Sequence, residues 1–246
     1  MPLITLTQTD NVKWEKADLV PHLKQDEVQV WRVLVPPAGA QIENYRSVMS
    51  VAEIDRASRF VHPEDTNRYV TAHGVLRQLL SAHTAVARHQ LLFTKNEFGK
   101  PALIMSDSKA ALHFNLSHSG QYVIIALSKH PIGADVEYLK PDFNFHSLLP
   151  HYFTAAETHF ITTTSASPLT AFFSAWTRKE ALGKGLGSGI TENMQVLPSL
   201  NGIHSSTGLL VVNDWNVQTF RVDDVHMASV ACSGNVREVR FFNFIH

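Results

Sequence analysis

The 246-residue sequence predicts an α+β fold of two halves, each with helices packed on a small, mainly antiparallel sheet. Three observations lead there. Helical apolar periodicity with proline-led helix starts appears in both the first and the second half. Two strands are joined around Gly120 in the middle, and extended apolar runs fill the tail. With 44% hydrophobic residues the chain can bury a substantial core, and no fixed-period repeat is visible.

Val28 to Val35 alternates and is β-branched, which predicts a strand ending at Pro36-Pro37. From Asn44 to Phe60 apolar residues recur at helical spacing, predicting one helix. A second should start at Pro63, with Glu64 and Asp65 against its positive end and Tyr69, Ala72, Leu76, Leu79 and Leu80 facing inward. After the turn Asn96-Glu97-Phe98-Gly99-Lys100-Pro101, strands Leu112 to Leu116 and Tyr122 to Leu127 form a hairpin. Ser128-Lys129-His130-Pro131 reads as the hinge, dividing the chain into halves 1–130 and 131–246. Thr154-Ala155-Ala156-Glu157 has capping-box spacing, and Ser167-Pro168 opens a further helix. Runs Val217 to Val222, Met227 to Cys232 and Val236 to Ile245 predict an antiparallel sheet.

Composition narrows the function classes. Lys plus Arg is 21 and Asp plus Glu is 22, a formal charge of -1, so nothing draws duplex nucleic acid or anionic membrane to the surface as a whole. Cys232 stands alone in an apolar run and reads as a core thiol in a reducing compartment. The start lacks a signal-peptide pattern and no apolar stretch reaches membrane-spanning length, so a cytoplasmic location is expected. The 14 His residues are scattered, without metal-finger spacing.

Three carboxylates carry the chemical signal. Asp135 and Glu137, two apart on a short strand, project from one face, where they can share a hard cation. Spacing alone does not separate this from an edge strand showing its polar face. On the helix after Pro168 the apolar stripe Leu169, Phe172, Phe173, Trp176 next reaches Glu180, which therefore points inward. The competing reading is a surface ladder of Lys179, Glu180 and Lys184. Magnesium is usually held by one or two carboxylates with phosphates and water, so the expected substrate carries phosphate. The hydroxyls and imidazole of Ser117-His118-Ser119, beside Gly120, offer donors for phosphate oxygens, although a lone turn His is also an ordinary structural hydrogen bonder. Gly99 before Lys100 lets backbone approach a flat base closely.

The ordered motifs Gly99-Lys100-Pro101, Phe114-Asn115-Leu116-Ser117-His118-Ser119, Gly133-Ala134-Asp135-Val136-Glu137 and Trp176-Thr177-Arg178-Lys179-Glu180-Ala181 resemble those of the Sfp-type 4'-phosphopantetheinyl transferases. The likeness covers roughly residues 56 to 190, with Arg56-Ala57-Ser58-Arg59-Phe60 and Arg68 resembling the family's early basic helix pair. It implies a monomeric pseudo-dimer with coenzyme A between the halves, transferring phosphopantetheine to a serine of an apo carrier protein and releasing adenosine 3',5'-bisphosphate. It further implies that Asp135, Glu137 and Glu180 hold Mg2+ and that Glu180 also serves as base. Lys184 would reach the pyrophosphate, with Lys179 a weaker candidate. Arg68 and His118 would take the 3'-phosphate, with Arg56 and Arg59 as outer contacts. Lys100, Pro101 and the backbone near Phe98 would line the adenine pocket, with Ser117 nearby. Two departures stand out: Phe98 where the family frequently has tyrosine, and the glycine-rich run from Gly183 to Gly189, which should weaken the last helical turn. Two rival readings are a non-catalytic coenzyme A or carrier-binding module and an unrelated magnesium-dependent phosphoesterase. The latter has no need of an adenine pocket.

Overall fold

The fold is taken from a computed structural model and described for residues 1–105, 111–187, 194–209 and 211–246. Strands β1 (Leu3–Thr9), β2 (Trp14–Lys16) and β3 (Glu27–Leu34) precede helices α1 (Ala40–Arg46), α2 (Val51–Ser58) and α3 (Pro63–Thr84). The expected single helix from Asn44 to Phe60 is therefore two. The break falls at Ser50, whose hydroxyl accepts from the Glu53 N–H while Glu53 reaches back to the Ser50 N–H, a capping box that starts a new helix. Helix α3 begins with proline at its first position and ends at Ala85 in the left-handed region (φ 56°).

The small hairpin β4 (Phe93–Lys95) and β5 (Pro101–Leu103) is followed by β6 (His113–Ser119), β7 (Tyr122–Ser128) and β8 (Ile132–Tyr138). Short helices α4 (Leu149–Tyr152) and α5 (Ala155–His159) lead to the long α6 (Pro168–Leu186). Then come β9 (Gly202–Ser205), β10 (Trp215–Asp223), β11 (His226–Ser233) and β12 (Glu238–Asn243).

Two five-stranded sheets form, in the orders β2-β12-β3-β7-β6 and β8-β11-β10-β1-β9. Their inner faces pack together through Val28, Val30, Ile124 and Ala126 on one side and Ala134, Val136, Phe220 and Val230 on the other. Because strand side chains alternate, Val123, Ile125 and Leu127 face outward onto α3, while Ala231, Val217 and Leu6 face outward onto α6. The layers run helices, sheet, sheet, helix. The tail departs from the predicted antiparallel sheet. Strands β10 and β11 pair as expected, but β12 crosses to the other sheet and lies parallel to β2 and β3. Aromatic packing holds it there: Phe242 stacks on Trp31 at 4.7 Å, and Phe241 meets Phe220 edge-on at 4.8 Å. In exchange, β1 lies parallel to β10 in the second sheet. No helix among the described residues is long and apolar enough to cross a membrane.

Candidate active site

On β8, Ala134 and Val136 enter the core between the sheets, so Gly133, Asp135 and Glu137 face α6. The helix lies unusually close. A Cβ at Gly133 would stand 2.0 Å from the Ala181 carbonyl oxygen and 2.3 Å from the Gly185 nitrogen, and one at Gly185 would stand 2.6 Å from the Trp215 ring. Two glycines therefore set the helix-strand spacing, and that spacing brings Glu180 and Lys184, one turn apart on α6, against the acidic pair. Asp135 and Glu180 are buried, as the inward stripe predicts for Glu180.

The surface-ladder reading of Lys179 and Lys184 does not hold. Lys184 Nζ donates to Asp135 Oδ1 at 2.6 Å and lies 3.3 Å from Ser117 Oγ. Lys179 is fully buried and points away, to Glu157 Oε2 at 3.1 Å and to the carbonyls of Met194 and Leu197. Its ammonium is a packing element.

Strand β6 forms the other wall. Asn115, Ser117 and Ser119, spaced two apart, all reach β8: the Ala134 N–H donates to Asn115 Oδ1 at 2.9 Å, Ser117 Oγ donates to Asp135 Oδ1 at 2.8 Å, and Ser119 Oγ donates to Glu137 Oε2 at 3.3 Å. Ser117 and Ser119 thus serve the carboxylates, where the sequence reading placed them as donors to phosphate or neighbours of the adenine pocket. A run of polar residues alternating with Leu116 and His118 was the readable sign of this seam.

Burial, then repulsion from Asp135, pushes Glu137 up to about 7. The same two causes raise Glu180, and Lys184 lowers it only in part. For Lys184 burial alone would lower the pKa, but the Asp135 contact prevails and raises it. Among the described residues no three His, Cys, Asp or Glu side chains form a ready-made cation cluster. The donor chemistry nonetheless fits a divalent cation: three mutually repelling carboxylates are offset by one ammonium, and Asp135 Oδ2 is buried without any hydrogen-bond partner.

The nucleotide-side residues divide. Pro101 and Gly99 line a cavity of about 750 Å³ with Arg56, Tyr69, His73 and Leu116. Arg68 donates to the Gly120 carbonyl at 3.0 Å and pairs with Asp65, and with burial it helps to depress the pKa of His118 nearby. Arg59 pairs with Asp55 at the surface. Lys100 does not line this cavity: its ammonium donates to the carbonyls of Ile132 (3.0 Å) and Gly185 (2.7 Å), and burial lowers its pKa to about 8. Phe98 is largely exposed beside the turn and also borders a 360 Å³ cavity with Glu180, Gly183 and Met194. The glycine-rich run does not unravel α6, which continues to Leu186 and closes at Gly187 (φ 73°); Ser188 and Gly189 lie outside the described residues.

Comparison with known proteins gives one answer for both halves. Residues 35–130 match a family described as 4'-phosphopantetheinyl transferase, N-terminal, and residues 131–230 match the 4'-phosphopantetheinyl transferase superfamily. The chain is 30% identical to the 4'-phosphopantetheinyl transferase HetI of Nostoc sp. over 90% of its own length and 94% of that protein's. It is 29% identical to the 4'-phosphopantetheinyl transferase Sfp of Bacillus subtilis over 63% of its own length and 68% of that protein's.

Proposed function

The chain belongs to the 4'-phosphopantetheinyl transferase superfamily, and from that premise we infer that it moves the 4'-phosphopantetheine arm of coenzyme A onto a serine of an apo carrier protein. The observation that carries this reading is the seam of Asp135, Glu137, Glu180 and Lys184 between β6, β8 and α6, bordered by a cavity of about 360 Å³ at Glu180 and Lys184, with the 750 Å³ cavity suited in size to a nucleoside on the opposite face of β6. Residues 1–130 supply the nucleotide contacts and residues 131–246 the reaction centre, within a single monomer.

In the transfer, the carrier serine oxygen bonds to the phosphorus that bears the pantetheine arm. The bond from that phosphorus to the bridging oxygen breaks, and adenosine 3',5'-bisphosphate leaves with the electron pair. Glu180 takes the serine proton, directly or through water. Burial and then Asp135 raise its pKa, which favours action as a base, while contact with a cation would oppose that rise. Lys184 lies beside the carboxylates, where it offsets charge on the leaving phosphate. Asp135, Glu137 and Glu180 would hold magnesium, which when bound neutralises charge on the pyrophosphate. Arg68 and His118 take the 3'-phosphate, and Gly99 and Pro101 line the adenine pocket together with Arg56.

The test is intact-protein mass spectrometry of a panel of apo acyl, peptidyl and aryl carriers incubated with the protein, coenzyme A and magnesium. A phosphopantetheine adduct on at least one carrier is expected. Its absence from every carrier would overturn the reading.

A further inference from the structure

The turn between β4 and β5 is built around Asn96. Its Oδ1 accepts from the N–H groups of Phe98 (3.0 Å) and Lys100 (2.8 Å), and Gly99 supplies the left-handed residue the turn requires (φ 82°). This arrangement aims two donors at the other half of the molecule. Asn96 Nδ2 donates to the Gly187 carbonyl at 2.8 Å, and Lys100 Nζ donates to the Gly185 carbonyl at 2.7 Å and to the Ile132 carbonyl at the start of β8 at 3.0 Å.

Gly185 and Gly187 lie at the C-terminal end of α6, where the last carbonyls have no partner within the helix and the helix dipole favours a cation. Three glycines, Gly183, Gly185 and Gly187, make this turn a poor helix former on its own. Nor can the contact simply be shifted. A Cβ at Gly187 would stand 3.1 Å from Asn96 Nδ2 and 3.4 Å from the Lys100 side chain. Lys184 lies inside the capped turn, and Glu180 lies one turn earlier.

We propose that Asn96 and Lys100 are positioning residues that cap the end of α6 from the opposite half, holding Lys184 and Glu180 in register with Asp135. The cap ties β8 to α6 through one ammonium. The same turn presents Gly99 and Pro101 to the nucleotide cavity, so nucleotide capture and helix alignment share one rigid piece. This inference rests on the transfer reading above for its kinetic consequence, but not for its structural one.

Three measurements on Lys100→Met, Lys100→Arg and Asn96→Ala test it: steady-state transfer, binding of adenosine 3',5'-bisphosphate by calorimetry, and hydrogen exchange. Lys100→Met should lower kcat roughly tenfold or more through misplacement of the helix end, while bisphosphate affinity changes by no more than about twofold. Exchange of the 183–187 amides should rise about fivefold in both Lys100→Met and Asn96→Ala, as for loss of a helix cap, with α3 unaffected. Lys100→Arg, which restores a cation to the carbonyls, should recover most of kcat.

Collapse of bisphosphate binding with kcat preserved would overturn the proposal by making Lys100 a nucleotide contact. Unchanged exchange at 183–187, or exchange raised equally throughout the protein, would also overturn it. A wild type that modifies no carrier would instead overturn the transfer reading, and the exchange data would still decide the cap.

Discussion

Replacing Lys179 with methionine should cost more stability than replacing any surface charge in the protein. The ammonium is fully buried and has three acceptors: Glu157 Oε2 at 3.1 Å, the Met194 carbonyl at 3.1 Å and the Leu197 carbonyl. Glu157 is also buried and keeps other donors in the variant, namely the Thr154 N–H (2.8 Å), Thr154 Oγ1 (3.1 Å) and Ser199 Oγ (2.6 Å). Breaking a buried pair by removing one partner costs about 3–5 kcal/mol, and those remaining donors favour the lower end of that range. Two orphaned carbonyls add about 1 kcal/mol each. The expected total is about 5 kcal/mol. For a chain of this size that corresponds to roughly 10–20 °C in Tm. Guanidinium denaturation of wild type, Lys179→Met, Glu157→Gln and the double variant closes a thermodynamic cycle. A coupling of about 2–3 kcal/mol is expected, because removing both charges leaves no uncompensated ion. A loss below about 1 kcal/mol in Lys179→Met, or strictly additive single effects, would refute the argument that this pair clamps the 194–197 segment to α6.

Asp135→Asn and Glu180→Gln should each lower transfer at least about a hundredfold while coenzyme A still binds; full activity in either, measured by single-turnover labelling, would remove that residue from the reaction centre. Glu53 offers a test with a defined pH sign. Burial would raise its pKa, but His73, the Ser50 N–H and Arg77 together lower it from 4.5 to about 2. A depressed carboxylate stabilises the fold above the unfolded value and loses that contribution as pH falls from 4.5 toward 2. Glu53→Gln should therefore be less stable than wild type by about 2–3 kcal/mol at neutral pH, with the gap closing near the folded pKa; an equal gap at both extremes would contradict this. Gly133→Ala should cost about 1–3 kcal/mol by overpacking and reduce transfer further by lifting α6 from β8, and a fully stable, active variant would show that the close approach is not required. Asn115→Ala leaves the buried Ala134 N–H without its acceptor and should cost about 1–3 kcal/mol in chemical denaturation; no measurable loss would mean that another group accepts that bond.

Local signals were legible in the sequence wherever the chain's own neighbours decide the structure. Proline at the first turn marks α3 and α6, and Gly120 marks the β6-β7 turn, because helix starts and tight turns are set within a few residues. The same logic was available at Ser50 and Glu53 and would have split the first helix, since their spacing matches that of Thr154 and Glu157. Glu180 was legible because an apolar stripe fixes the face of a helix. Partners distant in sequence were not legible. Nothing around Phe241 or Phe242 shows that they pack with Phe220 and Trp31, and nothing in Gly99-Lys100-Pro101 shows that the ammonium turns toward two carbonyls in the second half. The contacts of the Ser117 and Ser119 hydroxyls were not legible for the same reason: strand pairing gives their spacing, but only the meeting of β6 with β8 gives their target.

The crossing of β12 into the first sheet also bears on how the protein comes to exist in a cell. During synthesis β3 emerges before β7, its neighbour on one side, and the strand that covers its other side, β12, follows only after β11. Until then Trp31 lacks its stacking partner Phe242, and a row of backbone donors and acceptors stays open to any passing strand. A nascent chain stalled before residue 238 is thus an aggregation hazard, and expression yield should respond more sharply to changes in Glu238–Asn243 than the shortness of that strand would imply.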